Sequence, residues 1–390
     1  MSSQKRKIDI LVIGVCSLTD KYPNAKYKHK AILDLDEYET ESFVKDIGVS
    51  TSYWSVSNSS SYIGKILFFV KLLLNSIHVF FVSLYKRPKT VYILYPSLIL
   101  ALFFCVVPKR YKPKILIDGF ISIFDTVVLD RQLFTRTGLI SRTIYLLEKL
   151  AYKNSDSVLV DTKENGEFYS ELFNINEGLF LPIPLSIPIL PEISIEARSD
   201  NKVKLVFFGT FVPLHGISII IDAAKELSGN SNYEFHIIGD GQEAQILEEA
   251  LSLGLENITW HRGLFDTQEL TQKVATCDIG LGIFSVNNKA MRVIPYKYYY
   301  YLNMGLPVIT SRTPAMDSLV SDFEIHGAIN TILVDPGSPD SLVAAIKEMS
   351  NRLSSVDPLF KLTVKKQFNN QLGVNAINKR LREVFDSMIS

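Results

Sequence analysis

The chain of 390 residues is 47% hydrophobic and 21% charged, a composition that is typical of globular proteins and excludes an intrinsically disordered chain. Its 41 basic and 41 acidic residues balance, so the net charge gives no support for nucleic acid as a partner. The length exceeds that of one ordinary core and predicts two or three domains.

Strand-length apolar runs recur along the first half of the chain. Residues 8–15, IDILVIGV, form the first, and TVYILYP, KILID and SVLVDT follow. The stretches between them have helical spacing, and this alternation predicts parallel βαβ units whose sheet faces are covered. Pro96 divides the apolar residues 91–107, so we expect a buried strand and then a buried helix there.

The apolar segment at residues 62–85 also has helical spacing, and it contains Lys65 and Lys71. Lysines are unfavourable in the middle of a bilayer, which argues against a membrane span. Two interpretations stay open. The segment is an interfacial helix on a membrane, helped by the basic residues of 86–89, or it is a core helix of a large α/β domain.

Residues 181–200 contain four prolines, which disfavour both helices and central strands. We therefore expect an extended linker here. It separates a Rossmann-like N-terminal domain of residues 1–180 from a Rossmann-like C-terminal domain of residues 201–355. The remaining residues, 356–390, are expected to form C-terminal helices.

Two glycine turns follow strand-like runs in the second half. Gly209 ends the first run and Gly216 opens the next helix, while Gly239 and Gly241 flank Asp240 after the second run. Backbone N–H groups at such helix starts suit an anion such as a diphosphate. Glycine is common in turns of every kind, so each motif alone is weak evidence.

Three cations, Lys289, Arg292 and Lys297, lie within nine residues before and inside a predicted helix. Pro295 suits the first turn of that helix. The helix dipole favours anions at this end, so a cluster of cations is unfavourable there without a bound anion. A bound phosphate would account for the cluster, and a solvated basic loop is the alternative.

Five motifs follow one another in the second half: FFGTFVPLHG, FHIIGDGQE, ITWHRG, CDIGLGIF and IPYKYYYYLNMGLPVITS. In this order they resemble the donor-binding half of retaining glycosyltransferases of the GT-B fold, the group 1 family, in its family 4-like form. The resemblance covers about residues 200–350, and the first half matches through its βα alternation. It implies two Rossmann-like domains that face each other across a cleft, with a C-terminal helix that crosses back to the N-terminal domain.

The resemblance implies a nucleotide-sugar donor on the C-terminal domain and an acceptor that enters from the N-terminal domain. Carried over residue by residue, it predicts Gly209, Thr210, Gly216, Gly239 and Asp240 as donor-binding residues. The glycine turn and the cation cluster add Gly241 and Lys289 as donor-side candidates. We assign to Lys297, Arg292 and His215 the catalytic task of stabilising the departing diphosphate. Asp118 and Asp125 are candidates on the acceptor side.

The chain departs from the family pattern at several of these positions. The family's Glu-x7-Glu pair is replaced by Arg292 and Tyr300, and His215 stands where members carry a lysine. The glutamate expected after the PVIT strand is replaced by Ser318, beside Asp317. The sequence SLTDKYPNAKYKHKAIL occupies the place of the acceptor-side glycine pair.

Four consecutive tyrosines occupy residues 298–301. Positions three and four apart share a helix face, so Lys297, Tyr300 and Tyr301 are expected on one face. We expect Tyr300 to face the cleft and to offer the donor ribose a hydroxyl or a stacking surface, while the other three pack. The alternative is that all four only pack.

The leading function is hexosyl transfer from a nucleotide sugar to a lipid-linked or polysaccharide acceptor in cell-envelope biosynthesis. The resemblance implies retention, and we expect no metal and no cofactor. One alternative is a catalytically degenerate protein that binds a nucleotide sugar or a partner without turnover; another is a sugar-nucleotide epimerase. Three widely spaced cysteines fit a reducing compartment, and we expect a cytoplasmic protein that is peripheral on the inner membrane face.

Overall fold

The computed structural model describes residues 8–19, 23–46, 62–187, 190, 202–263, 266–323, 330–355 and 359–389. The chain divides into two compact units. The N-terminal unit comprises Met1–Ser186 together with Ile377–Ser390, and the C-terminal unit comprises Ile187–Ala376. Most of the proline-rich segment, residues 188–189 and 191–200, lies outside the described residues.

The N-terminal unit is built on a parallel sheet. Its strands are β1 (Ile10–Val15), β2 (Thr40–Lys45), β3 (Thr90–Ile93), β4 (Lys114–Asp118), β5 (Ser157–Val160) and β6 (Phe180–Pro182). Their order across the sheet is β2-β1-β3-β4-β5-β6, and each neighbouring pair is parallel. Pro182, at the start of the predicted linker, ends the edge strand β6, where a missing N–H costs no ladder hydrogen bond.

Helices cover both faces of this sheet. They are α1 (Pro23–Leu33), α2 (Tyr62–Lys86), α3 (Ile99–Phe103), α4 (Leu139–Lys153) and α5 (Lys163–Phe173). Shorter turns lie at Phe104–Val106, Lys109–Tyr111, Asp125–Asp130 and Glu177–Leu179. Helices α2 to α5 share one core with the sheet, and α1 contributes to the core on the opposite face.

The C-terminal unit repeats the plan with a second parallel sheet. Its strands are β7 (Val203–Thr210), β8 (Tyr233–Asp240), β9 (Ile258–Arg262), β10 (Ile279–Leu281), β11 (Val308–Ser311) and β12 (Thr331–Val334). The order is β12-β11-β10-β7-β8-β9, and neighbouring strands are again parallel.

The helices of this unit alternate with its strands. They are α6 (Ile217–Glu226), α7 (Ala244–Ser252), α8 (Thr267–Ala275), α9 (Tyr296–Asn303), α10 (Pro314–Phe323), α11 (Pro339–Leu353) and α12 (Phe360–Leu372). Short 3-10 turns lie at Pro213–His215 and Ala290–Arg292. Helices α6, α7 and α11 fill one core with the sheet.

The last helix, α13 (Val374–Ile389), belongs to the N-terminal unit from Ile377 onward. Its buried residues Leu381 and Phe385 pack with Ile10, Val12 and Ile32 on the face that α1 covers. The expected doubly wound α/β architecture and the expected return of the C-terminal helix are therefore confirmed. The strand and the helix expected on either side of Pro96 are present as β3 and α3.

Candidate functional site

The predicted donor residues gather at one edge of the C-terminal sheet. The strands are parallel, so the carboxyl ends of β7, β8 and β9 lie at the same edge. Gly209 pairs in register with Gly239, and Thr210 pairs with Asp240. Ligands of doubly wound sheets bind at this edge. The two glycine turns predicted from sequence therefore lie side by side where a ligand is expected.

The first glycine turn joins β7 to α6 through the 3-10 turn at Pro213–His215. Gly216 ends that turn with a φ of 64°, and a Cβ there would lie 2.6 Å from the backbone nitrogen of Ser285. The carbonyl of His215 accepts a hydrogen bond from the N–H of Phe284 at 3.0 Å. Both the backbone conformation and the close approach require glycine, which keeps the turn tight against the segment after β10.

Two basic side chains face the backbone of Gly209. A Cβ at Gly209 would lie 2.9 Å from Cε1 of His215 and 3.6 Å from Nζ of Lys297. Nδ1 of His215 is buried and has no hydrogen-bond partner among the described residues. Lys297, in the first turn of α9, is 4% exposed, and its Nζ lies 4.8 Å from the centre of the Phe207 ring.

Burial changes the protonation of both groups. It lowers the pKa of Lys297 from 10.5 to about 7. Burial, and next the neighbouring Lys297, holds the pKa of His215 well below its ordinary value. Within the described ranges, Lys297 has no ion-pair or hydrogen-bond partner. A buried cation without a partner is unfavourable, so this pocket favours an anion that arrives from solvent.

The two other predicted cations precede α9. Lys289 starts the 3-10 turn Ala290–Arg292 and is partly buried. Arg292 is buried, and its Nε donates a hydrogen bond to Oδ1 of Asn288 at 3.2 Å. Both therefore lie on the turn that leads directly into the helix of Lys297.

The second glycine turn contains an ion pair that sequence reasoning missed. Oδ2 of Asp240 accepts a hydrogen bond from Nε of Arg262 at 2.9 Å, and its Oδ1 accepts the N–H of Gly241 at 2.8 Å. Hydrogen bonding by Arg262 lowers the pKa of Asp240. Arg262 ends β9 and also stacks on Trp260, with 4.6 Å between the guanidinium and the ring centre. The sequence feature that could have indicated this ion pair is the HRG tripeptide, in which Arg262 ends a strand just before a glycine.

The tyrosine stretch corrects one expectation. Tyr300 is 1% exposed, and its hydroxyl lies 2.6 Å from Oγ1 of Thr271. Its ring packs edge-on against Phe208, with 5.0 Å between the centroids. The neighbouring tyrosines are equally buried, and the hydroxyl of Tyr301 donates to the carbonyl of Val206 at 2.9 Å. The structure therefore favours the alternative in which all four tyrosines pack, because α9 is enclosed on every side.

Replacing Tyr300 by phenylalanine tests this correction. We expect the free energy of unfolding to fall by about 1 kcal/mol, since Thr271 loses a buried hydrogen-bond partner. We expect the affinity for UDP to stay within about twofold of the wild type. Urea unfolding and calorimetry measure the two quantities. Tyr298→Phe is the matched control, because its hydroxyl also pairs with a threonine, Thr331. A tenfold loss of affinity confined to Tyr300→Phe would restore the ribose role.

The two acceptor-side candidates are buried in the N-terminal unit. Asp118 ends β4, and its Oδ1 lies 3.2 Å from Nζ of Lys28, a pair whose side chains are both fully buried. Asp125 is also fully buried, and its backbone N–H donates to Oγ of Ser122 at 3.1 Å. Asp118 therefore serves an internal ion pair in this structure. Its partner Lys28 lies in the segment that replaces the family's glycine pair.

In the described part of the chain, no three His, Cys, Asp or Glu side chains come together as a metal site. The three cysteines are free thiols, and Cys16 and Cys277 are buried.

Comparisons with known proteins agree with this fold. A family model described as glycosyl transferases group 1 matches residues 202–352. No curated protein matches the chain significantly. The crystal structure of Anabaena Alr3699/HepE in complex with UDP has a TM-score of 0.62 at 14% identity, and the match covers 97% of this chain and 100% of that chain.

Two further solved structures are similar in fold. A glycosyltransferase from Rickettsia africae has a TM-score of 0.65 at 11% identity, with 99% of both chains covered. The lipopolysaccharide outer core galactosyltransferase WaaB, in its apo form, has a TM-score of 0.63 at 15% identity, with 97% of this chain and 99% of its own covered. The chain therefore has the GT-B fold, and its residues 202–352 match the group 1 glycosyltransferase family.

Proposed function

We propose that the protein transfers a hexosyl group from a nucleotide sugar to a lipid-linked or polysaccharide acceptor. The observation that carries the proposal is the buried ammonium of Lys297, which has no partner within the described ranges and faces the glycine turn at Gly209. A nucleoside diphosphate supplies the anion that this pocket favours. The Anabaena structures hold UDP and UDP-glucose, which supports uridine as the first base to test.

Lys297 is proposed to stabilise the leaving diphosphate. It lies in the first turn of α9, where the helix dipole also favours negative charge. Charge builds up on the diphosphate as the bond to the sugar breaks, and a preorganised cation in a buried site stabilises that charge strongly. The free site holds Lys297 close to its neutral form, so arrival of the diphosphate draws a proton onto the amine.

His215 and Arg292 are proposed to take two different parts. A neutral imidazole has one nitrogen that accepts, and Nδ1 of His215 has no partner in the part of the chain that the structure describes. It is therefore suited to accept a hydrogen bond from a hydroxyl of the donor. Arg292 stands in place of the family's first glutamate, and its guanidinium suits bidentate binding of phosphate oxygens, with Lys289 beside it.

Retention and independence of metal are part of the proposal. The order of motifs in the C-terminal unit supports retention, and Lys297 beside Gly209 offers, in its charged form, positive charge that a metal would otherwise supply. Nuclear magnetic resonance of the product tests the first point, since retention gives the anomeric configuration of the donor. Activity that survives a chelator supports independence of metal. Activity that is lost with the chelator and returns only with an added divalent cation contradicts it.

The acceptor is proposed to be a glycan of the cell envelope, carried on lipid or in a polysaccharide. The similarity of fold to WaaB, a lipopolysaccharide outer core galactosyltransferase, supports this class. We propose a cytoplasmic site, peripheral on the inner membrane face. The direct test incubates the protein with UDP-glucose or UDP-galactose and lipid-linked glycans extracted from envelopes. Transfer of labelled sugar supports the proposal, and tight donor binding without transfer or hydrolysis contradicts it.

One rival function has a specific observation in its favour. The Glu-x7-Glu pair is absent, and Tyr300, at its second position, is buried against Thr271 and Phe208. A protein that binds a nucleotide sugar without turnover would tolerate this loss. Slow hydrolysis of UDP-sugar in the absence of acceptor distinguishes the two, because a non-catalytic binder releases the donor intact.

The pKa of Lys297 gives a pH dependence with a definite sign. Above pH 7 the amine of Lys297 loses its proton in the ligand-free protein. The diphosphate requires the charged amine, so binding takes up a proton. We expect the affinity for UDP to fall about tenfold for each pH unit above 7. The second ionisation of a phosphate has a pKa of about 6, so the diphosphate is almost fully ionised throughout this pH range and does not distort the slope. Calorimetry from pH 7 to 9 measures the slope, and a flat profile for the wild type would contradict the assignment.

A further inference from the structure

The outer surface of one helical layer in the N-terminal unit is unusually apolar. Helices α2, α3 and α4 pack on the same side of the sheet, through Val79, Leu100 and Ala151 among others, all in one core. The short helix α3 contacts both α2 and α4, so it lies between them. The faces of α2 and α4 that point away from this core therefore belong to one surface.

Helix α2 exposes a broad apolar face along its first four turns. Its exposed large side chains there are Ile63, Ile66, Leu67, Phe69, Val70, Leu73 and Leu74. By length and composition, Ile66–Lys86 is apolar enough to cross a membrane. However, Ser76, Val79 and Phe80 are buried, and the helix contacts β1. The helix is therefore packed against the domain along one side, and its exposed apolar side chains lie on the opposite side.

Helix α4 presents a second apolar face. Its exposed side chains are Leu139, Ile140, Leu146, Leu147 and Leu150, and spacings of three, four and seven place them along one side of the helix. The exposed or partly buried cations Arg142, Lys149 and Lys153 flank them. The single acid of this helix, Glu148, is buried and accepts the N–H groups of Ile123 and Phe124. The outer side of α4 is therefore apolar and basic, without a negative charge.

The charge around these faces is strongly one-sided. From residue 62 to residue 117 the sequence contains no Asp or Glu, and it contains nine basic residues: Lys65, Lys71, Lys86, Arg87, Lys89, Lys109, Arg110, Lys112 and Lys114. The whole chain, in contrast, is balanced at 41 acids and 41 bases. Between the two helices in sequence, Val106 and Tyr111 are exposed apolar residues close to Lys109 and Arg110.

We propose that the exposed sides of α2 and α4, which we call the α2–α4 face, dock on the surface of a bilayer that contains anionic lipids. Apolar side chains flanked by Lys and Arg are the pattern of a segment that lies in the headgroup region. A second copy of the chain fits less well, because it would bring two cation-rich faces together, and the acids Glu41 and Asp9 already pair with Lys86 and Lys89. Docking would hold the N-terminal unit at the surface where a lipid-linked acceptor lies, and that last step rests on the proposed function.

Flotation of the full chain with lipid vesicles tests the proposal. The vesicles are phosphatidylcholine alone or phosphatidylcholine mixed with phosphatidylglycerol. We expect binding to the mixed vesicles at least about tenfold tighter than to the neutral ones, because several cations approach the anionic surface. We expect Leu67→Glu with Leu74→Glu on α2, and Leu146→Glu with Leu150→Glu on α4, each to weaken binding to mixed vesicles by about tenfold or more.

A matched control separates docking from a general effect of added charge. Leu253 and Leu362 lie in the C-terminal unit and are 78% and 58% exposed, compared with 63% for Leu67 and 60% for Leu146. The variant Leu253→Glu with Leu362→Glu is expected to bind vesicles as the wild type does. Equal loss in this control, or no effect of the α4 pair, would overturn the proposed face.

Two further readouts make the outcome unambiguous. Light scattering measures the oligomeric state of the lipid-free protein. A dimer that the α2 or α4 variants break would assign the face to a second copy and overturn the proposal. UDP binding is measured on the same samples. Retained UDP binding without vesicle binding rejects the docking face alone, whereas vesicle binding without UDP binding rejects the proposed function alone.

Discussion

Replacing Lys297 by methionine is expected to lower the affinity for UDP by about a hundredfold or more. The substitution removes the buried amine of Lys297 that faces Gly209 and keeps a side chain of similar length and volume. The diphosphate would then enter a pocket that has lost its principal charge. Calorimetry of UDP binding at pH 7 measures this loss.

The same substitution is expected to leave the free energy of unfolding unchanged or higher. Burial of an amine without a partner is unfavourable, and an apolar group of similar shape removes that penalty. Urea unfolding without ligand measures it. Lys225→Met is the control, since Lys225 is exposed on α6 and pairs with Asp222 at the surface. Parallel losses of stability and affinity in Lys297→Met would mean that Lys297 supports the fold and not the ligand.

Replacing Gly239 by alanine is expected to lower the free energy of unfolding by about 3 kcal/mol or more. Gly239 has a φ of 136°, which side-chain-bearing residues rarely adopt, and a Cβ there would lie 2.0 Å from the carbonyl oxygen of Gly209. The clash is with backbone, so no side-chain rotation relieves it. The strain would push apart the two glycine turns, and UDP affinity should fall together with stability.

Gly254→Ala is the matched control for this prediction. Gly254 also has a positive φ, of 82°, but nothing lies within 4 Å of the position its Cβ would take. The fall in the free energy of unfolding of Gly254→Ala therefore measures the effect of the backbone conformation alone, about 1 kcal/mol. Urea unfolding of both variants gives the difference. Equal costs at the two positions would show that the close approach of the two turns is unimportant for stability.

Much of the fold was predictable from the sequence, for a physical reason. Strands of a parallel sheet are buried on both faces, so β1 and β7 appear as continuous apolar runs, and glycine marks the turn after each of the donor-side strands β7 and β8. The cation cluster was also visible, because Lys289, Arg292 and Lys297 are close in sequence. Local patterns of this kind need no knowledge of tertiary contacts.

Features that depend on tertiary contacts were missed. The orientation of Tyr300 follows from α9 being enclosed by Thr271 and Phe208, which are far from it in sequence. The pair of Lys28 with Asp118 joins residues 90 positions apart. Arg262 reaches Asp240 only because β8 and β9 are neighbours in the sheet. Helical periodicity shows which residues share a face, but it does not show what that face packs against.

The most direct test is the number of protons taken up when UDP binds at pH 8. Calorimetry in buffers that differ in ionisation enthalpy gives this number. If the diphosphate binds beside Lys297, the wild type should take up about one proton per UDP, because the free amine is mostly neutral above its pKa of about 7, and Lys297→Met should take up none. Binding of UDP by the wild type without proton uptake, or with the same uptake in Lys297→Met, would contradict the assignment of Lys297 to the diphosphate.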